Sequence, residues 1–351
     1  MTLRHEVSDR ITGWLLRMAT CLTLLPLLAA CDNSFIFDYE GDCEPHYKVK
    51  FRYDWNLKFA DAFHNEVKEV TLYVIDGDGR VVWSRHESGE RLQQEGYVMD
   101  VDVAPGRYTL MAWCGEGHRT DFHVPESMQA RELTCSLLRD RDTEGAAFVK
   151  KPLRHLYHGK LEQVTFPEEE GVHTVTLPLK KNTNDVHVVL QHLSGSRVEA
   201  SKFRFEITDV NGLMDWDNSL LDDEMITYGA YDVTEGSAGI IIPESSSATS
   251  TRAEGQFSAA VASLSVGRLM EDNDVRLTVY NNETGKTVFS IPLVDYALLV
   301  KGNYGRPMDS QEYLDRQDEY NMTFFLDEGD RWINTFIYIN SWKVLLQSAG
   351  I

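Results

Sequence analysis

The chain has 351 residues, 55 acidic against 34 basic side chains, a formal charge of −21 and an ordinary 42% of hydrophobic residues. That composition excludes a disordered chain and a multispan membrane protein, and the acid excess excludes a nucleic acid partner, whose affinity comes largely from Lys and Arg neutralising phosphates. The length suits two domains of about 150 residues, each able to bury its own core.

Arg4, Arg10 and Arg17 precede an apolar run from Met18 to Ala30, the order of charge and then hydrophobe found in an export signal. The run is about 13 residues, too short to cross a hydrocarbon core of roughly 30 Å as a helix. Leu28-Ala29-Ala30-Cys31 resembles a bacterial lipobox, in which small residues admit the peptidase and the cysteine thiol takes the lipid. Residues 1–30 are therefore expected to leave and Cys31 to carry acyl chains, each buried methylene contributing about 0.8 kcal/mol to membrane anchoring. A tether over 31–44 would then lead into the folded body.

Cys43, Cys114 and Cys135 remain once Cys21 leaves with the signal and Cys31 is lipidated. An odd number in an oxidising compartment fits one disulfide with one free thiol, and Cys43 with Cys114 is the expected pair because each flanks a predicted strand. Free buried thiols are the alternative. No C-x-x-C pattern supports zinc or redox chemistry.

The dominant period is two. Tyr47, Val49, Phe51 and Tyr53 alternate with Lys48, Lys50 and Arg52, which predicts a strand with one apolar and one wet face. Leu57 to Phe63 predicts a turn or two of helix. Val70, Leu72 and Val74 lead through Asp76-Gly77-Asp78-Gly79 into Val81-Val82-Trp83, a hairpin pattern. Tyr97, Met99, Val101 and Val103 form another strand, and Pro105-Gly106 turns it into Tyr108, Leu110, Ala112 and Cys114.

The acidic turn Pro167-Glu168-Glu169-Glu170-Gly171 separates a second batch. Its strands carry Val175, Leu177 and Leu179, then Val186, Val188 and Leu190, then Phe203, Phe205 and Ile207. Ser245 to Thr251 reads as a solvated loop. Val275, Leu277 and Val279 reach a turn at Asn281-Asn282 and return through Val288, Phe289 and Ile291. Asp309 with Glu312 is a capping box opening a short helix to about Gln317, and Ile333, Ile337 and Ile339 before Trp342 and Leu345 end the chain as strand. Short strands in two batches predict an all-β chain of two tandem antiparallel sandwiches, over 45–168 and 169–351.

Chemical candidates are sparse. Asp76-x-Asp78-Gly79, with Glu87 at the twelfth position, echoes a calcium loop, but the intervening Val81-Val82-Trp83 is strand. His155 and His158 are three apart and would need helical geometry and a third ligand to bind metal. Asp222-Asp223 is the kind of acidic pair that glycoside hydrolysis uses, yet such pairs arise by composition alone in so acidic a chain. No nucleophile elbow, phosphate loop or dinucleotide turn occurs, so the chain reads as no enzyme, with neither cofactor nor metal.

Four segments taken in order add a resemblance: KVKFRYDWNLKFADAFHNEVKEVTLYVIDGDGRVV (48–82), VAPGRYTLMAWCG (103–115), RHLYHG (154–159) and the tail QEYLDRQDEYNMTFFLDEGDRWINTFIYINSWKVLLQ (311–347). Together they resemble the FimB-type fimbrial anchor family, accessory lipoproteins of Bacteroidales. The resemblance implies two transthyretin-like sandwiches, lipid at Cys31 and an outer-membrane location facing outward. It also implies a fimbrial shaft subunit as partner, the anchor limiting shaft length and release. A sandwich with an open edge can accept a partner's strand. Val103 to Cys114 and the tail from Trp332 are the two strands left open as borders of that groove. The alternative is a lipid-anchored surface glycan-binding module that stacks sugars on exposed tryptophans, with Trp83, Trp113, Trp216 and Trp332 as candidates.

Overall fold

The computed structural model describes residues 44–116, 120–236 and 258–346. The signal, Cys31, Cys43 and the expected loop Ser245 to Thr251 lie outside the described residues. No helix among the described residues is long and apolar enough to cross a membrane.

In chain order the first half comprises β1 (Pro45–Arg52), α1 (Phe63–Glu66), β2 (Glu69–Ile75), β3 (Val81–Ser88), β4 (Met99–Val101), β5 (Gly106–Gly115), β6 (Phe122–His123), β7 (Cys135–Leu137), β8 (Asp140–Arg141), β9 (Ala147–Val149) and β10 (Leu156–Phe166). There follow β11 (Gly171–Pro178), β12 (Lys180–Lys181), β13 (Thr183–His192), β14 (Phe203–Asp209), β15 (Leu213–Met214), β16 (Ile226–Gly229) and β17 (Asp232–Gly236). The last part holds β18 (Ala259–Gly267), β19 (Arg276–Asn281), β20 (Thr287–Pro292), α2 (Leu293–Leu298), α3 (Ser310–Arg316), β21 (Glu319–Leu326), β22 (Phe336–Ile339) and β23 (Trp342–Leu345).

The period-two pattern sets the first sandwich. In β1 the apolar Tyr47, Val49 and Phe51 are buried, while Lys48, Lys50 and Arg52 face out. This strand sits in a three-stranded sheet ordered β11-β1-β4, opposite a five-stranded sheet ordered β12-β10-β5-β2-β3. The β2–β3 hairpin forms as expected, its turn closed by Asp76 Oδ1 accepting the amides of Asp78 and Arg80 at 2.9 Å each. Pro105-Gly106 does not fold β4 back on β5; it carries the chain from one sheet to the other, since β4 pairs with β1 and β5 with β2 and β10. The helix expected over Leu57 to Phe63 begins only at Phe63. Asn56 holds the preceding residues as a loop, its amide donating to the Tyr53 and Ala60 carbonyls.

The five-stranded sheet is apolar on both faces. Val70, Leu72, Val74, Leu110, Ala112 and Tyr157 face the three-stranded sheet. Met111, Trp113 and Leu156 face the core of the second half. Gly159 in β10 is required by close approach: a Cβ there would lie 2.7 Å from Leu179 Cδ2 and 2.8 Å from the Pro178 carbonyl oxygen.

The second sandwich packs a six-stranded sheet ordered β17-β18-β13-β21-β22-β23 against one ordered β20-β19-β14-β16-β9-β8. Val186, Val188 and Leu190 of β13 are fully buried there. Not every pair is antiparallel as expected: β13 runs parallel to β21 and β16 parallel to β9, because these partners are joined by long connections rather than hairpins. Sheet membership is not collinear with the chain. β8 and β9 join the second sandwich, while β11 and β12 join the first. The capping box holds, with Asp309 Oδ1 accepting the Glu312 amide at 2.6 Å to start α3.

A buried ionic cluster ties the sandwiches together. Asp315 of α3 accepts from Arg268 Nε and Nη2 at 2.8 Å each and from Lys180 Nζ at 2.9 Å. Arg268 follows β18 of the second sandwich, whereas Lys180 lies in β12 of the first. Beside it Tyr53 donates to Asp318 at 3.1 Å and Tyr157 to Glu66 at 2.6 Å.

Candidate functional site

The residues singled out for chemistry are spread apart and engaged structurally. His155 precedes β10 and His158 lies within it, an odd spacing that on a strand sends side chains to opposite faces. Burial lowers the pKa of both, that of His158 to about 3; its Nε2 lies 2.9 Å from the Trp216 carbonyl oxygen and its ring stands edge-on to Trp113. Asp223 is held bidentately by Arg139 at 2.7 and 2.9 Å, and its neighbour Asp222 is exposed. Glu87 is ion-paired with Arg85 and Arg91 on the strand side of the hairpin. Among the described residues no three His, Cys, Asp or Glu side chains cluster as metal ligands. Cys114 and Cys135 are free, buried thiols, and burial pushes both pKa values up. The expected partner of Cys114, Cys43, lies outside the described residues.

The four candidate tryptophans are not free stacking platforms. Trp113 is buried and donates to the Leu133 carbonyl at 3.1 Å. Trp332 packs against Phe289 and Phe324, Trp83 against the first core, and one face of Trp216 lies under Lys160 Nζ at 4.1 Å. Among the described residues the most exposed tryptophan is Trp342 of β23, at 45%.

The two strands that could border a groove are now distinguished. β5, the Val103 to Cys114 candidate, is flanked by β10 on one side and β2 on the other, so both its ladders are occupied. β23 is the outermost strand of its sheet and pairs only with β22 among the described residues. Asn340 and Ser341 turn the hairpin with φ of 46° and 71°, the left-handed pair that a two-residue loop requires. Asn340 locks that turn by exchanging bonds with Asn321, its amide donating to the Asn321 carbonyl at 2.8 Å and its Oδ1 accepting the Asn321 amide at 2.8 Å.

The register fixes which backbone groups of β23 are unused. Ile339 opposes Trp342, Ile337 opposes Val344, and the Leu346 amide donates to the Thr335 carbonyl at 2.9 Å. Hydrogen-bonded pairs alternate along an antiparallel ladder. The amides and carbonyls of Trp342 and Val344 therefore face β22, and those of Lys343 and Leu345 point outward. Side chains alternate along the strand, so Trp342 and Val344 share the face of Ile337 and Ile339, where Val344 packs on the core and Trp342, at the hairpin end, is 45% exposed; Leu345, on the opposite face, is 70% exposed.

Three other sheet edges are protected, while the edge strands β11 and β20 are uncharged like much of β23 but expose fewer large apolar side chains. β3 carries Arg85, His86 and Glu87; β17 carries Asp232 and Glu235, the latter paired with Arg197; two-residue β8 is pinned by the Arg141–Glu224 pair. Charge and shortness oppose added strands, whereas Trp342-Lys343-Val344-Leu345 offers a largely apolar edge.

The sequence profile of the family described as fimbrillin-A associated anchor proteins Mfa1 and Mfa2 matches residues 39–348. A comparison with curated proteins returns no match. A solved candidate adhesin of Bacteroides thetaiotaomicron is 33% identical, with the alignment covering 88% of this chain and 100% of that one at a TM-score of 0.73. A candidate polysaccharide binding protein of the same organism is 31% identical at the same coverage and TM-score. The fimbrial anchor protein Mfa2 of Porphyromonas gingivalis, at 15% identity, shares the fold over 87% of this chain and 100% of its own, with a TM-score of 0.63.

Proposed function

The chain belongs to the family of fimbrillin-A associated anchor proteins Mfa1 and Mfa2, a fimbrial accessory family of the cell surface, and from that membership we propose that it anchors a fimbrial shaft. It is held in the outer membrane, facing the exterior, by lipid on Cys31, and the shaft's basal subunit docks on the β23 edge. Anchoring there limits shaft length and release.

The observation carrying the reading is the unpaired edge of β23. An extended segment of the shaft subunit laid along it would bond to the outward groups of Lys343 and Leu345, each bond contributing about 0.5–1.5 kcal/mol net. It would also cover Trp342 and Leu345, and fully burying an apolar side chain is worth about 1.5–3 kcal/mol. The Leu28-Ala29-Ala30-Cys31 motif supports the lipid attachment.

Two variants test the two ends of this link. With Cys31→Ala, assembled fimbriae are expected to move from cells to culture supernatant together with the protein. With Leu345→Pro, an outward amide is lost while the inward ladder to β22 is spared, so the protein should stay on the cell and the shafts should leave it. Shafts that remain cell-bound in both strains refute the anchor reading.

A further inference from the structure

Asp78, Gly79, Arg80, Gln129, Arg131 and Trp216 line an open cavity of about 760 Å³ on the side of the molecule formed by the β2–β3 turn. Three separate stretches of chain build it, and each is fixed by its own bonds. Arg80 and Gln129 face each other in an antiparallel bridge, with the Val81 amide donating to the Met128 carbonyl and the Ala130 amide to the Gly79 carbonyl, both at 2.9 Å. Asp76 clamps the turn beneath Asp78 and Arg80. Trp216 is set by its amide donating to Asp215 at 2.8 Å and by its carbonyl oxygen beside His158. At Gly79, with φ +79°, nothing lies within 4 Å of where a Cβ would stand, which leaves the backbone open to close approach. The backbone that carries the walls is thus fixed, as a binding site for a small polar ligand requires.

Most of the described arginines have a carboxylate partner. Arg139, Arg141, Arg197, Arg268 and Arg331 are each paired with a carboxylate. The guanidiniums of Arg80 and Arg131 have no ion-pair or hydrogen-bond partner among the described residues, although 55 acidic side chains are present. Both line the same cavity. A guanidinium presents a planar fork that matches a carboxylate, and two of them beside one cavity make an acceptor site for one.

We propose that this notch binds a carboxylate-bearing saccharide. Arg80 and Arg131 take the carboxylate; Asp78 and Gln129 take ring hydroxyls, for which the Asp78 carboxylate is an acceptor. An acidic peptide fits less well. It has no ring hydroxyls for Asp78 and Gln129 to take, and the Arg80–Gln129 bridge already uses the local backbone ladder, so no strand can add there. A neutral sugar lacks the group that the two arginines await, and Trp216, capped on one face by Lys160, is a wall more than a stacking surface.

The test titrates the full chain with oligogalacturonate, a hyaluronan oligosaccharide, sialyllactose, a neutral mannan oligosaccharide and oligoglutamate. Saturable binding is expected for at least one of the three acidic saccharides. It should weaken at least about tenfold in Arg80→Gln/Arg131→Gln, as the loss of charge-assisted hydrogen bonds implies. Both arginines are exposed, so the melting temperature of that variant should match wild type. Leu345→Pro should bind the saccharide as wild type does, which separates this site from the shaft edge. The proposal is overturned by no saturable binding to any acidic saccharide, by equal binding of the mannan or oligoglutamate, or by unchanged affinity in the double variant.

Discussion

Asp315→Ala should be among the most damaging single substitutions in the protein. The Asp315 side chain is 1% exposed and that of Arg268 8%, so both charges sit out of water and depend on each other. Besides the two bonds from Arg268, Asp315 accepts from Lys180 Nζ and from Gln311 Nε2, each at 2.9 Å. Truncation leaves the Arg268 guanidinium buried with only the Asn218 carbonyl, 2.9 Å from Nη1, as partner. Uncompensated buried charge of this kind costs about 3–5 kcal/mol, against a total stability of roughly 5–15 kcal/mol. Urea unfolding followed by tryptophan fluorescence should show that loss as a lower midpoint. Replacing the pair together, Arg268→Met with Asp315→Leu, should cost less than Asp315→Ala alone, because no charge is then stranded. If Asp315→Ala costs less than about 1 kcal/mol, or if the double variant is the worse of the two, the cluster does not hold the sandwiches together as described.

Two further outcomes follow from buried ionisable groups. Cys114 and Cys135, with thiol pKa values raised by burial, should resist an alkylating reagent in the native protein at pH 8 and react once unfolded in non-reducing urea; a Cys114 that stays unreactive in that urea is disulfide-bonded instead. Burial lifts the pKa of Asp209 from 3.8 to about 6, only partly offset by the amide of Val210 and by Asn273, so its contribution to stability is present below pH 3.8 and lost as pH rises through 6. Asp209→Asn should therefore raise the unfolding free energy at pH 8 by up to about 3 kcal/mol and leave it nearly unchanged at pH 4; an equal effect at both values would mean that ionisation of Asp209 is not involved.

The elements legible in the sequence are those whose own side chains carry the period. β1, β13, β14 and β19 each bury one face more deeply than the other, β2 keeps the period in Val70, Leu72 and Val74 though both its faces are covered, and Asp309 announces α3 because a cap is a local interaction. β18 was not visible. Its Ala-Ala-Val-Ala-Ser-Leu-Ser-Val-Gly is flanked by β13 and β17, and small residues on both faces leave no alternation to read. β10 was hidden by its polar residues, since the burial of His158 depends on Trp113 and Trp216, which are distant in sequence.

The same distinction separates the strand from its edge. Alternation shows that β5 and β23 are both strands, but the occupancy of a ladder depends on partners elsewhere in the chain. β5 is enclosed by β2 and β10, contributed by segments on either side of it in sequence. β23 ends its sheet because its hairpin partner β22 already separates it from β21. An exposed Trp342 and Leu345 are costly on an otherwise well-buried body, and an edge whose single charge is Lys343 leaves its ladder open to pairing. That combination is expected where a partner strand completes the sheet, and the outward amides of Lys343 and Leu345 set the register in which it would do so.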